Sequence, residues 1–135
     1  MAVVHRFIGT DTAFDWEDVH SKKYDDGAAK GASGKILIGR DEGAEHFVFR
    51  YFLIQPGGHS ATRDYHAHVH GVMILHGKAR VTIEDKVYDL NPRDLIFINP
   101  WEHHDLAAVG DEPMGFLCVI PNKEMLAKLA EDETK

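Results

Sequence analysis

Short apolar segments that recur about every ten residues restrict the fold of this chain more than any other feature. Residues 72–75, 95–98 and 115–120 are apolar runs, and each is followed within two residues by glycine or proline. Residues 79–90 alternate around a central polar turn and are predicted to form a hairpin. Apolar runs of this length that end at turn formers are typical of strands. The pattern therefore predicts an all-β sandwich or barrel.

The composition is that of an ordinary globular protein, and it excludes several kinds of partner. The 135 residues fit one domain, with 44% hydrophobic and 27% charged residues. The net charge of −7 argues against nucleic acid or an anionic membrane as a partner. Cys118 is the only cysteine, which excludes an intrachain disulfide and suits a reducing compartment. Because the first residues also lack the pattern of a signal peptide, we expect a cytoplasmic protein.

The chain divides into three regions by pattern. Residues 1–35 are polar and rich in turn formers, which predicts an arm with short strands. Residues 36–121 carry the strand-like segments and are predicted to form the barrel. Residues 122–135 are predicted to form a short C-terminal helix and tail, because Asn122 suits an N-cap and three later apolar residues share one helical face.

The segment 47–54 carries apolar side chains at both odd and even positions, which predicts a strand that is covered on both faces. The turn formers at residues 55–58 are predicted to end this strand. Together with the polar arm, the double-faced strand suggests a homodimer, formed by packing or by strand exchange between barrels.

Three histidines alternate in the run His66-Ala-His68-Val-His70, and the pair His103-His104 follows later in the chain. Neutral imidazole is the commonest metal ligand among protein side chains, so the cluster predicts a metal site. A strand rises about 3.3 Å per residue, so in a straight strand His66 and His70 would lie roughly 13 Å apart. Ligand nitrogens must lie about 2 Å from one ion. Either the chain bends between these two residues or one of them is not a ligand.

The later histidine pair lies in a segment that resembles the second motif of the cupin family. That motif consists of a Pro-Gly-Asp turn, an apolar strand, a proline-containing turn and a histidine ligand. Residues 92–104 follow the same order, and the spacing from Asp94 puts His104, rather than His103, at the ligand position. Arg93 stands where the family has the turn glycine, so this turn is where the chain departs from the family pattern.

The earlier cluster resembles the first cupin motif in two alternative registers. Counted back from the closing glycine of the motif, His70 takes the place of the family's glutamate, and Asp64 and His66 take the H-x-H pair. The other register takes His66 and His68 as the pair. The resemblance implies His66 and His104 as ligands in both registers and ranks His70 next. His68 and Asp64 compete for the remaining place, and a bend between His66 and His70 would leave His68 in a loop at the rim.

The resemblance covers about residues 50–120 and implies an RmlC-like cupin fold, which is a double-stranded β-helix or jelly-roll barrel. It also implies one divalent transition metal per chain, since Fe, Mn, Ni, Zn and Cu all suit a mostly histidine shell. We predict a metal-dependent enzyme with oxygenase-, isomerase- or decarboxylase-like chemistry on a small oxygen-rich or carbonyl compound. The alternative is a non-enzymatic cupin module that binds or senses a small molecule. The sequence assigns no catalytic residue.

Four further residues bear on the site. Cys118 is interpreted as a small buried side chain, with a thiol that faces the barrel interior as the alternative. Arg50 lies among apolar residues, so a buried pair, a dimer contact or recognition of an anionic ligand each explains it. His59 and His76 are interpreted as loop and turn histidines without an assigned partner.

Overall fold

The computed structural model describes residues 2–24, 29–60 and 69–122, apart from the side chains of residues 22–24. These ranges form nine strands and one 3-10 turn, Arg40–Glu42, which confirms the all-β prediction. No helix in the described ranges is long and apolar enough to cross a membrane. The strands are β1 (Ser21–Tyr24), β2 (Lys30–Ile38), β3 (Phe47–His59), β4 (His70–His76), β5 (Lys78–Ile83), β6 (Lys86–Leu90), β7 (Leu95–Ile98), β8 (His104–Val109) and β9 (Met114–Pro121).

The long strand β3 joins the two sides of a barrel. Hydrogen-bonded neighbours follow the order β6-β5-β8-β3-β9-β4-β7, and β3 also pairs with β2, which pairs with β1. Residues 47–54 of β3 pair antiparallel with β9, whereas its last residue, His59, pairs with Ala107 of β8. Because β3 has a different neighbour at each end, the sheet folds over and its two halves face each other across a core. This is the predicted jelly-roll arrangement.

The side chains that face the interior come from alternate positions of the central strands. In β9 the buried even-numbered positions pair with even-numbered positions of β3. Successive side chains of a strand point to opposite faces, so these positions of both strands share the inner face. His70 and Val72 of β4 lie on the same inner face, since Val72 pairs with Cys118. A shift in register between Ile74 and His76 then turns His76 to the outer face. The buried apolar core consists of Ala32, Ile54, Val72, Ile74, Ala79, Val81, Ile83, Ile98, Leu106, Met114, Phe116, Cys118 and Ile120.

Strand β3 is longer than the sequence predicts. The predicted end at Ile54 is wrong, because the strand runs on to His59. Gly57 has φ 78°, and the register with β2 shifts between the pairs Lys30–His59 and Ala32–Ile54. Extra residues with a left-handed glycine make a β-bulge, which bends a strand without ending its pairing. The turn formers therefore redirect β3 from β9 to β8.

The N-terminal arm packs on the outer face of β3. A short antiparallel bridge pairs Phe7 with Trp16, in line with the predicted short strands. The Phe14 ring stacks on Tyr51 with 5.8 Å between ring centroids, and Trp16 meets the Tyr51 ring edge-on at 5.4 Å. The arm therefore covers the outer face of β3, which explains the apolar residues on both faces of segment 47–54 within a single chain.

The predicted division into an arm (1–35), a barrel (36–121) and a C-terminal helix (122–135) stays a prediction. Strand β2, Lys30–Ile38, crosses the predicted boundary between the arm and the barrel. The predicted helix falls on residues 123–135, which lie outside the described residues.

The turn before β7 contains an arginine in the left-handed conformation. Arg93 has φ 79°, in the left-handed region that glycine adopts most readily. Arg93 N–H donates to the Ile74 carbonyl at 2.7 Å, and Ile74 N–H donates to the Asp94 carbonyl at 3.0 Å. The Asp94 carboxylate also accepts the Asn91 N–H at 2.8 Å. These bonds hold the turn against β4 although one of its residues is strained.

Replacing Arg93 with glycine should stabilise the fold. The left-handed conformation costs an L-residue about 1–2 kcal/mol, and glycine's greater freedom in the unfolded chain offsets roughly 0.5–1 kcal/mol of the gain. We expect the free energy of unfolding in urea to rise by about 0.5–1 kcal/mol. Arg93→Ala is the control, because it removes the same side chain but keeps Cβ and should give no such gain. A less stable Arg93→Gly variant would show that the arginine side chain itself stabilises the turn.

Candidate metal centre

Two of the predicted ligands, His70 and His104, meet inside the barrel. His70 is the first residue of β4, and His104 is the first residue of β8 in the facing half of the sheet. Both side chains are buried, with 6% and 5% of their surface exposed, and their ring centroids lie 4.9 Å apart. Two imidazoles at this separation can direct nitrogen atoms to one ion. The fold thus brings together two histidines that come from separate sequence motifs.

The loop before β8 fixes the position of His104. Glu84 N–H donates to the His103 carbonyl at 2.7 Å, and His103 N–H donates to the Glu84 Oε1 at 2.9 Å. Glu102 Oε1 accepts the Asn99 N–H at 2.9 Å. The His104 Nδ1 lies 2.9 Å from the Glu102 carbonyl oxygen, so in the neutral ring Nδ1–H donates there. The lone pair is then on Nε2, which is the tautomer that a metal ligand needs.

Cys118 lies on the inner face next to His70, with its Sγ 3.3 Å from the His70 Nδ1. The Arg50 Nη2 donates to the same sulfur at 3.2 Å. Burial raises the pKa of the Cys118 thiol, and Arg50 lowers it by a smaller amount. The residue is buried, as predicted, but its surroundings support the alternative interpretation, a thiol that faces the barrel interior.

The other three predicted ligands, Asp64, His66 and His68, lie outside the described residues. In the part of the chain that is described, no group of three or more His, Cys, Asp and Glu side chains converges as a metal site. That part supplies two of the predicted ligands, the buried His70 and His104. The choice between the two registers, and with it the rest of the ligand set, stays a prediction.

His5 and His59 have other contacts. His59 ends β3, and its Nδ1 lies 2.8 Å from the Ser60 carbonyl oxygen. The predicted loop position is therefore wrong for His59, because β3 extends through it. His5 lies 3.0 Å from the Glu42 carboxylate and links the arm to the 3-10 turn. The Glu17 carbonyl, followed by the Glu42 carboxylate, raises the pKa of His5.

His76, to which the sequence assigns no partner, is the centre of a buried polar network on the outer face of the barrel. The Tyr51 hydroxyl accepts the Phe14 N–H at 3.0 Å and lies 2.6 Å from the His76 Nε2, so it donates to that nitrogen. His76 Nδ1–H then donates to the Pro113 carbonyl at 3.3 Å. Burial lowers the pKa of His76 and raises the pKa of Tyr51 to about 12. The network ties the arm to the sheet through a neutral histidine.

Acidification should weaken the fold through His76. Its pKa in the folded protein lies below its usual value of 6.5, so the unfolded chain binds a proton that the folded chain excludes. The free energy of unfolding should therefore fall as the pH falls from 6.5 towards the folded-state pKa, and then level off. Urea unfolding of the wild type and His76→Gln at several pH values measures this effect, and the stability gap between them should narrow at low pH.

His5 acts in the opposite sense, and His5→Gln is the control. The raised pKa of His5 contributes stability that is present below 6.5 and is lost as the pH rises through its folded-state pKa. His5→Gln should therefore lose more stability at low pH than at high pH relative to the wild type. A gap between the wild type and His76→Gln that does not change with pH would show that His76 does not titrate in this way.

The sequence comparisons place the chain in a family. The family model described as a cupin domain matches residues 50–120, and the chain therefore belongs to the cupin family. A relative from Rhodospirillum rubrum, 1-methylthio-D-xylulose 5-phosphate methylsulfurylase, is 40% identical over 93 residues. That match covers 62% of this chain and 59% of the relative, so the chain spans about three fifths of the relative's length.

Solved structures share the barrel. A cupin-2 domain protein of Rhodospirillum rubrum is 32% identical with a TM-score of 0.75, over 85% of this chain and 77% of that one. A cupin 2 conserved barrel domain protein from Rhodopseudomonas palustris is 28% identical with a TM-score of 0.73, over 96% and 94% of the two chains. The polyketide cyclase RemF from Streptomyces resistomycificus is 26% identical with a TM-score of 0.70, over 77% and 74%. The predicted cupin barrel is confirmed.

Proposed function

We propose that this cupin is a metal-dependent enzyme that acts on a small oxygen-rich or carbonyl compound. The observation that carries the proposal is the pair of buried imidazoles, His70 and His104, 4.9 Å apart on the inner face of the barrel. Buried polar side chains in native proteins are held by hydrogen bonds or bind metal ions. The concave interior of a β-barrel is also a common place for a small-molecule site.

The donor set fits one divalent transition ion such as Fe, Mn, Ni, Zn or Cu. His70 and His104 would hold it, with His66 and either His68 or Asp64 completing the set. The hydrogen bond from His104 Nδ1–H to the Glu102 carbonyl is of the kind that orients a metal-binding histidine. A bound ion would supply Lewis-acid polarisation of a substrate oxygen. The protein's own part is to orient the ring of His104, to present the Cys118 thiol beside His70 and to keep the site enclosed.

Two relatives support the substrate class. The name of the Rhodospirillum rubrum relative denotes a ketose phosphate as its substrate, and RemF is a polyketide cyclase. Both substrates carry several oxygen atoms, including carbonyl groups. The chain spans 59% of the first relative, so its activity is a guide to the kind of compound rather than to the reaction.

Metal analysis of the full chain, purified without added metal, tests the proposal. We expect about one divalent transition ion per chain, with spectral changes on addition of polyoxygenated carbonyl compounds such as diketones or ketose phosphates. A closed tetrahedral zinc site that no such compound perturbs would instead support a non-enzymatic module, because closed sites do not catalyse. Absence of both bound metal and metal affinity would contradict the proposal.

The predicted homodimer has support from a different surface than the one the sequence indicated. Leu95 and Phe97 of β7 are 69% and 60% exposed. Together with Met73 and Leu117 they line an outer-face cavity of about 540 Å³. Exposed apolar patches of this kind are typical of protein interfaces. Light scattering of the full chain measures the mass, and a monomer at working concentrations would refute the dimer.

A further inference from the structure

A cavity of about 270 Å³ opens on the inner face of β2 and β3. Gly34 and Ile36 of β2 and Arg50 and Phe52 of β3 line it. These positions share the inner face of the sheet, because Gly34 pairs with Phe52 and Ile36 pairs with Arg50. The cavity therefore lies on the side of the sheet that carries the candidate metal centre.

Arg50 connects the cavity with that centre. Its Nη2 donates to the Cys118 Sγ at 3.2 Å, and this sulfur in turn lies 3.3 Å from the His70 Nδ1. The guanidinium carbon lies 5.0 Å from the centroid of the Phe52 ring, over its face. Arg50 and Cys118 thus form a continuous series of contacts from the cavity to His70.

The positive charge of Arg50 has no anionic partner within the described ranges. Its Nε is buried and makes no hydrogen bond there, and no described carboxylate forms an ion pair with the guanidinium. The sulfur is a weak acceptor and the Phe52 ring is uncharged. Arg50 as a whole is half-buried, and even partial burial of a cation without a compensating anion is unfavourable. A half-buried guanidinium beside a cavity is therefore a candidate site for the anionic group of a ligand.

Two of the other charged side chains around the cavity are already engaged. The Glu42 carboxylate accepts the Gly39 N–H at 2.7 Å and lies 3.0 Å from the His5 Nε2. Lys35 pairs with Asp15 at 2.6 Å. Asp18, Asp41 and Arg40 also line the cavity, and Arg50 is the cation there that contacts Cys118 on the inner face.

We propose that Arg50 binds the anionic group, a phosphate or a carboxylate, of the small molecule whose reacting end lies at His70 and His104. The planar guanidinium suits both groups, because it forms paired hydrogen bonds with two oxygens of either. The cavity has room for the rest of a small sugar phosphate or keto acid. The assignment of the reacting end rests on the proposed function, whereas the anion site itself rests on Arg50 and the cavity.

Calorimetric titration of the full chain with inorganic phosphate and, separately, with malonate tests the proposal. We expect one site per chain for at least one of the two anions, and the tighter of the two identifies the group. Arg50→Gln should weaken that affinity by at least about tenfold, the size of one lost charge-assisted interaction. The affinity of Arg50→Lys should lie between those of the wild type and Arg50→Gln, since lysine keeps the charge but loses the paired hydrogen bonds.

Arg80→Gln is the matched control, because Arg80 pairs with the exposed Asp89 on the hairpin and carries the same charge. It should bind the anion within about twofold of the wild type. Melting curves show whether each variant is folded, and if Arg50→Gln is not, Arg50→Lys carries the test. A wild type that binds neither anion, or a folded Arg50 variant that binds like the wild type, would overturn the proposal.

Metal content is measured on the same samples, so that the two proposals fail separately. A wild type that holds metal but binds neither anion overturns the anion site and leaves the metal-dependent enzyme in place. A wild type that binds an anion through Arg50 but has no affinity for metal supports the anion site and contradicts the metal centre.

Discussion

Replacing His104 with alanine is expected to abolish metal binding. The His104 ring is buried at the start of β8, its Nδ1 is engaged by the Glu102 carbonyl, and its Nε2 therefore carries the lone pair inside the barrel. Loss of a residue that only orients a ligand costs about 10–100-fold in metal affinity. Loss of the ligand itself should cost more than about 100-fold. Metal content after purification, together with titration of the metal-free chain with Zn²⁺ or Co²⁺, measures the loss.

His103→Ala is the control for this experiment. It makes the same substitution one residue earlier, and it keeps the backbone hydrogen bonds to Glu84 that brace the loop. Its metal content should equal that of the wild type. If His103→Ala loses metal while His104→Ala keeps it, His103 is the ligand and the prediction from the spacing to Asp94 is wrong. If neither variant loses metal, His104 is not a ligand.

His68→Ala and Asp64→Ala extend the same measurement to the two alternative registers. If the chain bends between His66 and His70, as strand geometry favours, His68→Ala should keep most of the metal. Loss of metal in Asp64→Ala alone would support the register in which Asp64 and His66 form the pair and His70 takes the place of the glutamate. Loss in His68→Ala alone would support the compact H-x-H pair. The expected results differ, so metal analysis decides between them.

Apolar runs and alternation were sufficient to predict β3 to β7 and β9, but they did not predict β8, His104–Val109. Spacing within the second motif was sufficient to predict that His104, rather than His103, points into the barrel, where it is buried, because a turn, a strand and a second turn have fixed lengths. Its role as a ligand stays a prediction. The end of β3 was not predictable from turn formers alone. A glycine in the left-handed conformation ends some strands and forms a bulge within others. Pairing with the neighbouring strands β2 and β8 is what lets β3 continue beyond the bulge.

Two parts of the site depend on contacts between distant segments, which local pattern does not record. Cys118 and Arg50 contact each other because β3 pairs with β9, 68 residues later in the chain. The Tyr51–His76 hydrogen bond depends on a register shift in β4 that no single residue of the sequence predicts. The sequence could indicate that a thiol, an arginine and a histidine were present in strands. It could not indicate that Cys118 and Arg50 share the inner face of the sheet while His76 lies on the outer face.

The second large effect is expected from Gly115→Ala. Gly115 is buried in β9 beside His76, and a Cβ there would collide with the His76 imidazole. The ring would have to move, which would break its hydrogen bonds with the Tyr51 hydroxyl and the Pro113 carbonyl. The Tyr51 hydroxyl, which accepts the Phe14 N–H, would then no longer be held by His76. Overpacking and buried polar groups without partners should together cost about 2–4 kcal/mol of unfolding free energy. Urea unfolding measures the loss, and a red shift in tryptophan fluorescence should report the displaced arm through Trp16.

Gly71→Ala is the matched control for Gly115→Ala, because it makes the same substitution on the outer face of the neighbouring strand. A Cβ at Gly71 would have no atom within 4 Å, so its effect should stay within about 0.5 kcal/mol. Equal stability of the two variants would mean that His76 can move without loss, and that the network does not hold the arm. Metal content should be unchanged in folded Gly115→Ala, since His76 and the histidine pair lie on opposite faces of the sheet. Loss of metal there would instead show that the outer network and the metal centre depend on each other.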